Sequence, residues 1–194
     1  ITWEWCTALM GVALGIDPFN QPNVTEAKNA TAELLAQWNN KLPALTMGNH
    51  EVKVEFEGAS IADELRQLIA KSQGYIAILA YLDRRDDIAL IELRKILAEK
   101  SGKPVAFGWG PRFQHSTGQF HKAGQPNGGF LIITGDSKKD YRIPGREFSF
   151  QTLVMAQALG EFRALSARKY PVTRLHLNDR AIGISEILKA AKAL

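Results

Sequence analysis

The residues best suited to chemistry fall into two clusters. The first runs from Gly11 to Lys28, where a loop of Gly15-Ile16-Asp17-Pro18-Phe19-Asn20-Gln21-Pro22 separates two helix-like runs. Asn23 with Glu26 three residues on has the form of a capping box, and Pro22 suits a helix entry. Lys28 then falls in the first turns of that helix. Backbone N–H donors and the positive dipole end there favour anions, so a lysine gains nothing in stability by the position. Its ammonium could donate a proton to an oxygen or neutralise charge developing on one. From the residues alone, an ordinary exposed lysine is the favoured reading.

The second cluster is Gly108-Trp109-Gly110-Pro111-Arg112-Phe113-Gln114-His115-Ser116-Thr117-Gly118-Gln119-Phe120-His121-Lys122-Ala123-Gly124. An imidazole here could serve as general acid or base, or could stiffen the loop by hydrogen bonding. His115 and His121 are six apart with no carboxylate between them, a spacing that matches no metal-ligand template, so no metal is expected. Walker and dinucleotide fingerprints are absent. Gly128-Gly129 reads as a strand-entry turn. The one cysteine, Cys6, sits in an apolar run without a neighbouring base and reads as a buried structural thiol. Trp3, Trp5 and Trp38 read as packing residues, His50 and His176 as strand-edge residues. Asp83-Arg84-Arg85-Asp86-Asp87 reads as a solvated loop capping the next helix.

Apolar periodicity supplies the elements that must position these groups. It predicts helices over 2–13, 23–39, 60–73, 87–100, 147–168 and 182–193. Ala27, Ala30, Leu34, Leu35 and Trp38 share one face of the second; Met155, Leu159 and Phe162 share one face of the fifth. Strands are predicted over 51–56, 75–82, 104–108, 129–134 and 172–177. Tyr75 to Leu82 and Phe130 to Thr134 are almost continuously apolar, as in parallel strands covered on both faces. The alternation predicts one α/β domain over 1–194, a three-layer α/β/α sandwich with a five-stranded, mainly parallel sheet. The loops 15–22 and 109–129 border that sheet, where such folds place their chemistry.

The 194 residues are 45% hydrophobic and 23% charged, which argues against disorder. The net charge of +4 is small and dispersed, without the clustered basic and aromatic residues of a nucleic-acid face. No apolar run spans a bilayer, and a single cysteine allows no internal disulfide, which fits a cytoplasmic protein. The chain opens at Ile1 directly into an apolar helix, which reads as part of a longer polypeptide.

The first cluster resembles the C-terminal signature of phosphoglucose isomerases. There a glycine and apolar residues precede an aromatic, Asp or Asn, Gln, any residue, Gly, Val, Glu, two further residues and Lys. Gly11, Leu14, Phe19, Asn20, Gln21, Val24 and Lys28 match in register, while Ala13, Asn23 and Thr25 depart. The second cluster, with Ile143-Pro144-Gly145 and Ala156-Gln157-Ala158-Leu159-Gly160, resembles the isomerase part of proteins that fuse phosphoglucose isomerase to transaldolase. The resemblance implies a C-terminal sugar-isomerase domain acting without cofactor. The reaction would interconvert glucose 6-phosphate and fructose 6-phosphate through a cis-enediolate. Lys28 would be catalytic, acting near O1 or O5, with Asn20, Gln21 and His115 binding substrate.

The family's base is a glutamate in a Gly-Glu-Ser or Ala-Glu-Ser context, and no such glutamate occurs in this sequence. It is expected upstream of Ile1, with a domain that grips phosphate through Ser and Thr. The implied partners are the sugar phosphate, the remainder of the isomerase chain with a transaldolase domain as an option, and further copies in a homo-oligomer. Neither nucleic acid nor membrane is expected. A rival reading is a non-catalytic sugar-phosphate-binding regulatory module of the same fold. A transaldolase part is a second rival, but its Schiff-base lysine would need a β/α barrel that the pattern lacks.

Overall fold

The computed structural model describes residues 1–42, 52–54 and 60–194. Seven helices and five strands are found among them: α1 (Thr2–Leu14), α2 (Pro22–Gln37), β1 (Val52–Val54), α3 (Ile61–Lys71), β2 (Tyr75–Tyr81), α4 (Glu92–Ser101), β3 (Val105–Trp109), α5 (Thr117–Ala123), β4 (Gly128–Gly135), α6 (Phe150–Ala167), β5 (Val172–Leu177) and α7 (Arg180–Lys192). Two single turns of 3₁₀ helix precede α4 and α5, at Ile88–Ile91 and Arg112–His115. The expected strand 51–56 is described only as β1; His50 and the rest of that stretch lie outside the described residues.

The sheet order is β1-β5-β4-β2-β3. Strands β5, β4, β2 and β3 pair in parallel, and β1 lies antiparallel on β5 at one edge. The chain is therefore α/β, with a four-stranded parallel sheet flanked by helices. Alternation along the strands divides the core. Ile76, Ile78, Leu131, Ile133 and Leu175 face α3, α4 and α7 through Leu65, Leu93, Leu97 and Ile187. Ala77, Leu79, Tyr81, Phe130 and Ile132 face Phe113 and, on α6, Ala158 and Leu165. Each fully buried Leu or Ile contributes about 1.5–3 kcal/mol, so the two faces of β2 and β4 anchor the domain.

The helix α2 departs from a simple three-layer arrangement. Leu34 and Leu35 pack with Ala156, Leu153 and Leu159 of α6, in a cluster without strand residues. Apolar residues therefore cover two sides of α6, one toward the sheet and one toward α2. The two helices approach closely at Gly160, where a Cβ would lie 3.1 Å from Thr31 Oγ1 and 3.4 Å from Ala27 O.

Several expectations need correction. The helix α1 stops as predicted at Gly15, whose φ of 67° places it in the left-handed region, with Ile16 N–H bonded to Gly11 O and Gly15 N–H to Val12 O. Yet Cys6 is exposed, not buried. Trp3 and Trp5 are 84% and 65% exposed, and Leu9, Met10, Val12 and Leu14 also face outward. Gly11 is the only buried residue of this helix. Nothing among the described residues covers the side that periodicity would assign to a core. Asp87, expected in a solvated loop, is buried, accepts the Asp83 N–H and pairs with Arg180 at 3.2 Å. His176 is fully buried in the interior strand β5, with Thr134 Oγ1 2.9 Å from Nδ1 and Asp136 Oδ1 3.2 Å from Nε2.

Candidate functional site

The two clusters singled out in the sequence meet in space. The backbone N–H of Asn23 donates to Gln119 Oε1 at 3.1 Å, and Gln119 Nε2 donates back to Asn23 Oδ1 at 2.8 Å. The helix α2 starts one residue earlier than expected, at Pro22, with Gln21 as N-cap and no side-chain cap. An orphan donor of its first turn is thus satisfied by a residue 96 positions away, not by a local capping box. Asn23 Nδ2 still reaches Glu26 Oε2 at 3.1 Å, within the turn.

A polar chain continues from there. Arg168 grips Glu26 with two bonds of 2.6 Å each, and this guanidinium holds the carboxyl below its ordinary range. Arg168 Nε donates to the backbone oxygen of Lys122 at 3.2 Å. Lys122 itself reaches inward: its Nζ lies 2.6 Å from Glu161 Oε1, and both side chains are almost completely buried. Burial raises the Glu161 carboxyl, with Lys122 opposing that shift. These contacts clamp the start of α2 onto α5 and the end of α6.

The segment expected as an open loop, 109–129, is therefore partly helical. Its Gly, Ser and Thr content hides α5, which has only seven residues. His121, one residue before Lys122, is buried. It is stacked on Tyr75 and edge-on to Phe130, with the Tyr75 hydroxyl 3.0 Å from Nδ1. Burial, aided by the Lys122 charge, holds this imidazole down at about 4, so it is neutral at pH 7 and braces the aromatic cluster.

That environment sets a pH dependence. The unfolded imidazole titrates near 6.5 and the folded one near 4, so the unfolded state takes up the proton first as pH falls. Stability is therefore full above about pH 6.5, is lost as pH falls toward 4, and levels off below. At pH 5 the loss is roughly 2 kcal/mol. Urea midpoints at pH 7.5 and 5 should differ in the natural chain and converge in His121→Gln. An equal pH effect in both would exclude His121 as its source.

The structure places Asn20, Gln21 and Lys28 on the surface around the start of α2. Phe19 beside them is 70% exposed. The backbone of His115 lies in the 3₁₀ turn before α5; its side chain is outside the described residues. Lys28 follows buried Ala27 and is itself exposed. Among the described residues no group of His, Cys, Asp and Glu could hold a metal, and no helix is long and apolar enough to cross a membrane. Sequence reasoning missed Arg168 and Glu161, which lie 142 and 39 residues from their partners Glu26 and Lys122. Gln119 and Lys122 were inside the second cluster but carried no sign of what they would bind.

Neither protein-family models nor curated proteins return a match to this chain. Among solved structures, the chain is similar to the crystal structure of a hypothetical protein, TT0462, from Thermus thermophilus, with a TM-score of 0.55 and 17% identity. The match covers 68% of this chain and 37% of that one. At this identity the likeness concerns the fold, and the chain spans well under half the length of that neighbour.

Proposed function

We propose that this chain is the C-terminal sugar-isomerase part of a phosphoglucose isomerase, contributing Lys28 to the interconversion of glucose 6-phosphate and fructose 6-phosphate. The observation that carries the reading is the in-register run from Gly11 to Lys28, with its lysine exposed in the second turn of a helix whose start a tertiary polar network holds in place. A group meant to meet a substrate must be both accessible and fixed. The clamp through Asn23, Gln119, Glu26 and Arg168 supplies the second condition without using Lys28 itself.

The Lys28 ammonium would stabilise charge on O1 or O5 during ring opening and enediolate formation, and could return a proton there. Asn20 and Gln21 would orient it or the sugar hydroxyls. The proton transfer between C2 and C1 needs a carboxylate base, assigned to a glutamate outside these residues. The apolar surface of α1, exposed along most of the helix, supports docking against further protein, because a helix this rich in apolar residues is ordinarily a buried one. That partner would be the remainder of the isomerase.

The reading predicts that the 194-residue chain alone does not turn over glucose 6-phosphate. The polypeptide joining it to a glutamate-bearing isomerase domain should. A dehydrogenase-coupled assay of both proteins decides. Turnover by the short chain at the rate of a complete isomerase would overturn the assignment of the base.

A further inference from the structure

A second candidate site lies at the other end of the fold. The helix α6 follows β4 and precedes β5, so it runs from the carboxyl edge of the parallel strands back to their amino edge. Glu26 meets Arg168 just beyond its end, whereas Gln151 near its start lines a cleft. At 1.5 Å per residue the two points are roughly 25 Å apart. The cleft lies at the carboxyl ends of β2, β3 and β4. The segment after β2 leads to α4 on one face, and the segment after β4 leads to α6 on the other. Strands β2 and β4 are neighbours whose successors diverge, which makes this the switch point where open α/β sheets bind ligands.

Two cavities of about 330 and 240 Å³ adjoin here and share Leu82, Asp83 and Gly110. Together they reach the size of small-molecule pockets. Five cations line them, Arg84, Arg85, Arg112, Lys139 and Arg180, against two carboxylates, Asp83 and Asp140. Asp83 is already engaged, since its Oδ1 accepts the N–H groups of Arg85 and Asp86. Asp140 Oδ1 likewise accepts from Gln151 N–H at 2.9 Å. Arg180 is held by Asp87 Oδ2 and Ser137 Oγ, each at 3.2 Å, while its buried Nε has no hydrogen-bond partner among the described residues. The side chains of Arg84, Arg85 and Arg112 make no ion pair or hydrogen bond among the described residues. Three free guanidinium groups around one concavity match an oxyanion with several acceptor oxygens, which forked donors can bind bidentately. Trp109 and Tyr141 add apolar walls.

We propose that this cleft binds a small phosphate monoester, at a site separate from Lys28. The phosphoryl group sits among Arg84, Arg85 and Arg112, and the rest of the ligand lies toward Lys139 and Tyr141. Calorimetric titration of the 194-residue chain at fixed ionic strength tests it, using glucose 6-phosphate, inorganic phosphate and glucose. Saturable binding is expected for glucose 6-phosphate, weaker binding for inorganic phosphate and none for glucose. Arg112→Gln and Arg85→Gln change exposed side chains and should each weaken ester binding at least 10-fold with thermal unfolding unchanged, an effect on the scale of a lost charge-assisted contact. Lys95→Ala, an exposed lysine of α4 outside the cleft, should leave the affinity unaltered. The proposal is overturned by absence of saturable binding, by binding unchanged in both arginine variants, by an equal loss in Lys95→Ala, or by uptake of inorganic phosphate with the ester excluded. Failure here leaves the isomerase reading untouched, since that reading rests on Lys28.

Discussion

On the proposed isomerase reading, Lys28→Ala in the full-length polypeptide is expected to lower kcat/KM by about 10² to 10³, or roughly 3–4 kcal/mol of transition-state stabilisation. The fold should not notice. Lys28 is exposed, forms no part of the clamp at the start of α2, and lies in the second turn of that helix, past the reach of the terminal dipole. Its removal should alter unfolding free energy by less than about 0.5 kcal/mol. Kinetics and thermal unfolding on one preparation separate a working lysine from a surface one. Near-normal turnover would reduce Lys28 to ordinary surface charge. Lys28→Arg sharpens the test, since charge survives while proton donation and fit do not. A fully active arginine variant would assign the residue to electrostatic stabilisation alone.

Glu161→Ala should cost about 3–5 kcal/mol of stability, because it strands the Lys122 ammonium in the interior. At the chain's size that lowers Tm by on the order of 10 °C. The pair lies between α5 and α6 with 1% and 0% side-chain exposure, so water cannot replace the lost partner. Lys122→Met with Glu161→Leu should recover much of the loss, since both desolvation costs vanish together. Equilibrium urea unfolding of the two single variants and the double variant measures the coupling directly. A single-variant loss below about 1 kcal/mol would show that the pair is hydrated or rearranges easily.

The sequence by itself determined the order and nature of most elements. Tyr75 to Leu82 and Phe130 to Thr134 read as doubly covered strands because nearly every position is apolar, and burial on both faces of a parallel sheet demands that. Periodicity placed the last two helices at 147–168 and 182–193, whereas the side-chain caps of Ser149 and Asp179 start them at Phe150 and Arg180. The candidate site was legible as two separate segments, because glycines, amides and histidines at fixed spacing are local features. Their junction was not. Asn23 and Gln119, Glu26 and Arg168, and Lys122 and Glu161 are partners through helix packing, and no periodicity within a short window reports on contacts across 39 to 142 positions.

The burial of α1 was misread for a related reason. Apolar composition says that Trp3, Trp5 and Leu9 belong in a dry environment but not which surface provides it, and within this chain none of the described residues does. The charged cleft was hidden as well. Arg84 and Arg85 resembled an ordinary mixed-sign loop until the order β1-β5-β4-β2-β3 brought them beside Arg112 and Lys139. Strand order is set by how layers pack and by which face each crossover takes. Those are choices among whole topologies, and local sequence fixes the elements without ranking their arrangements.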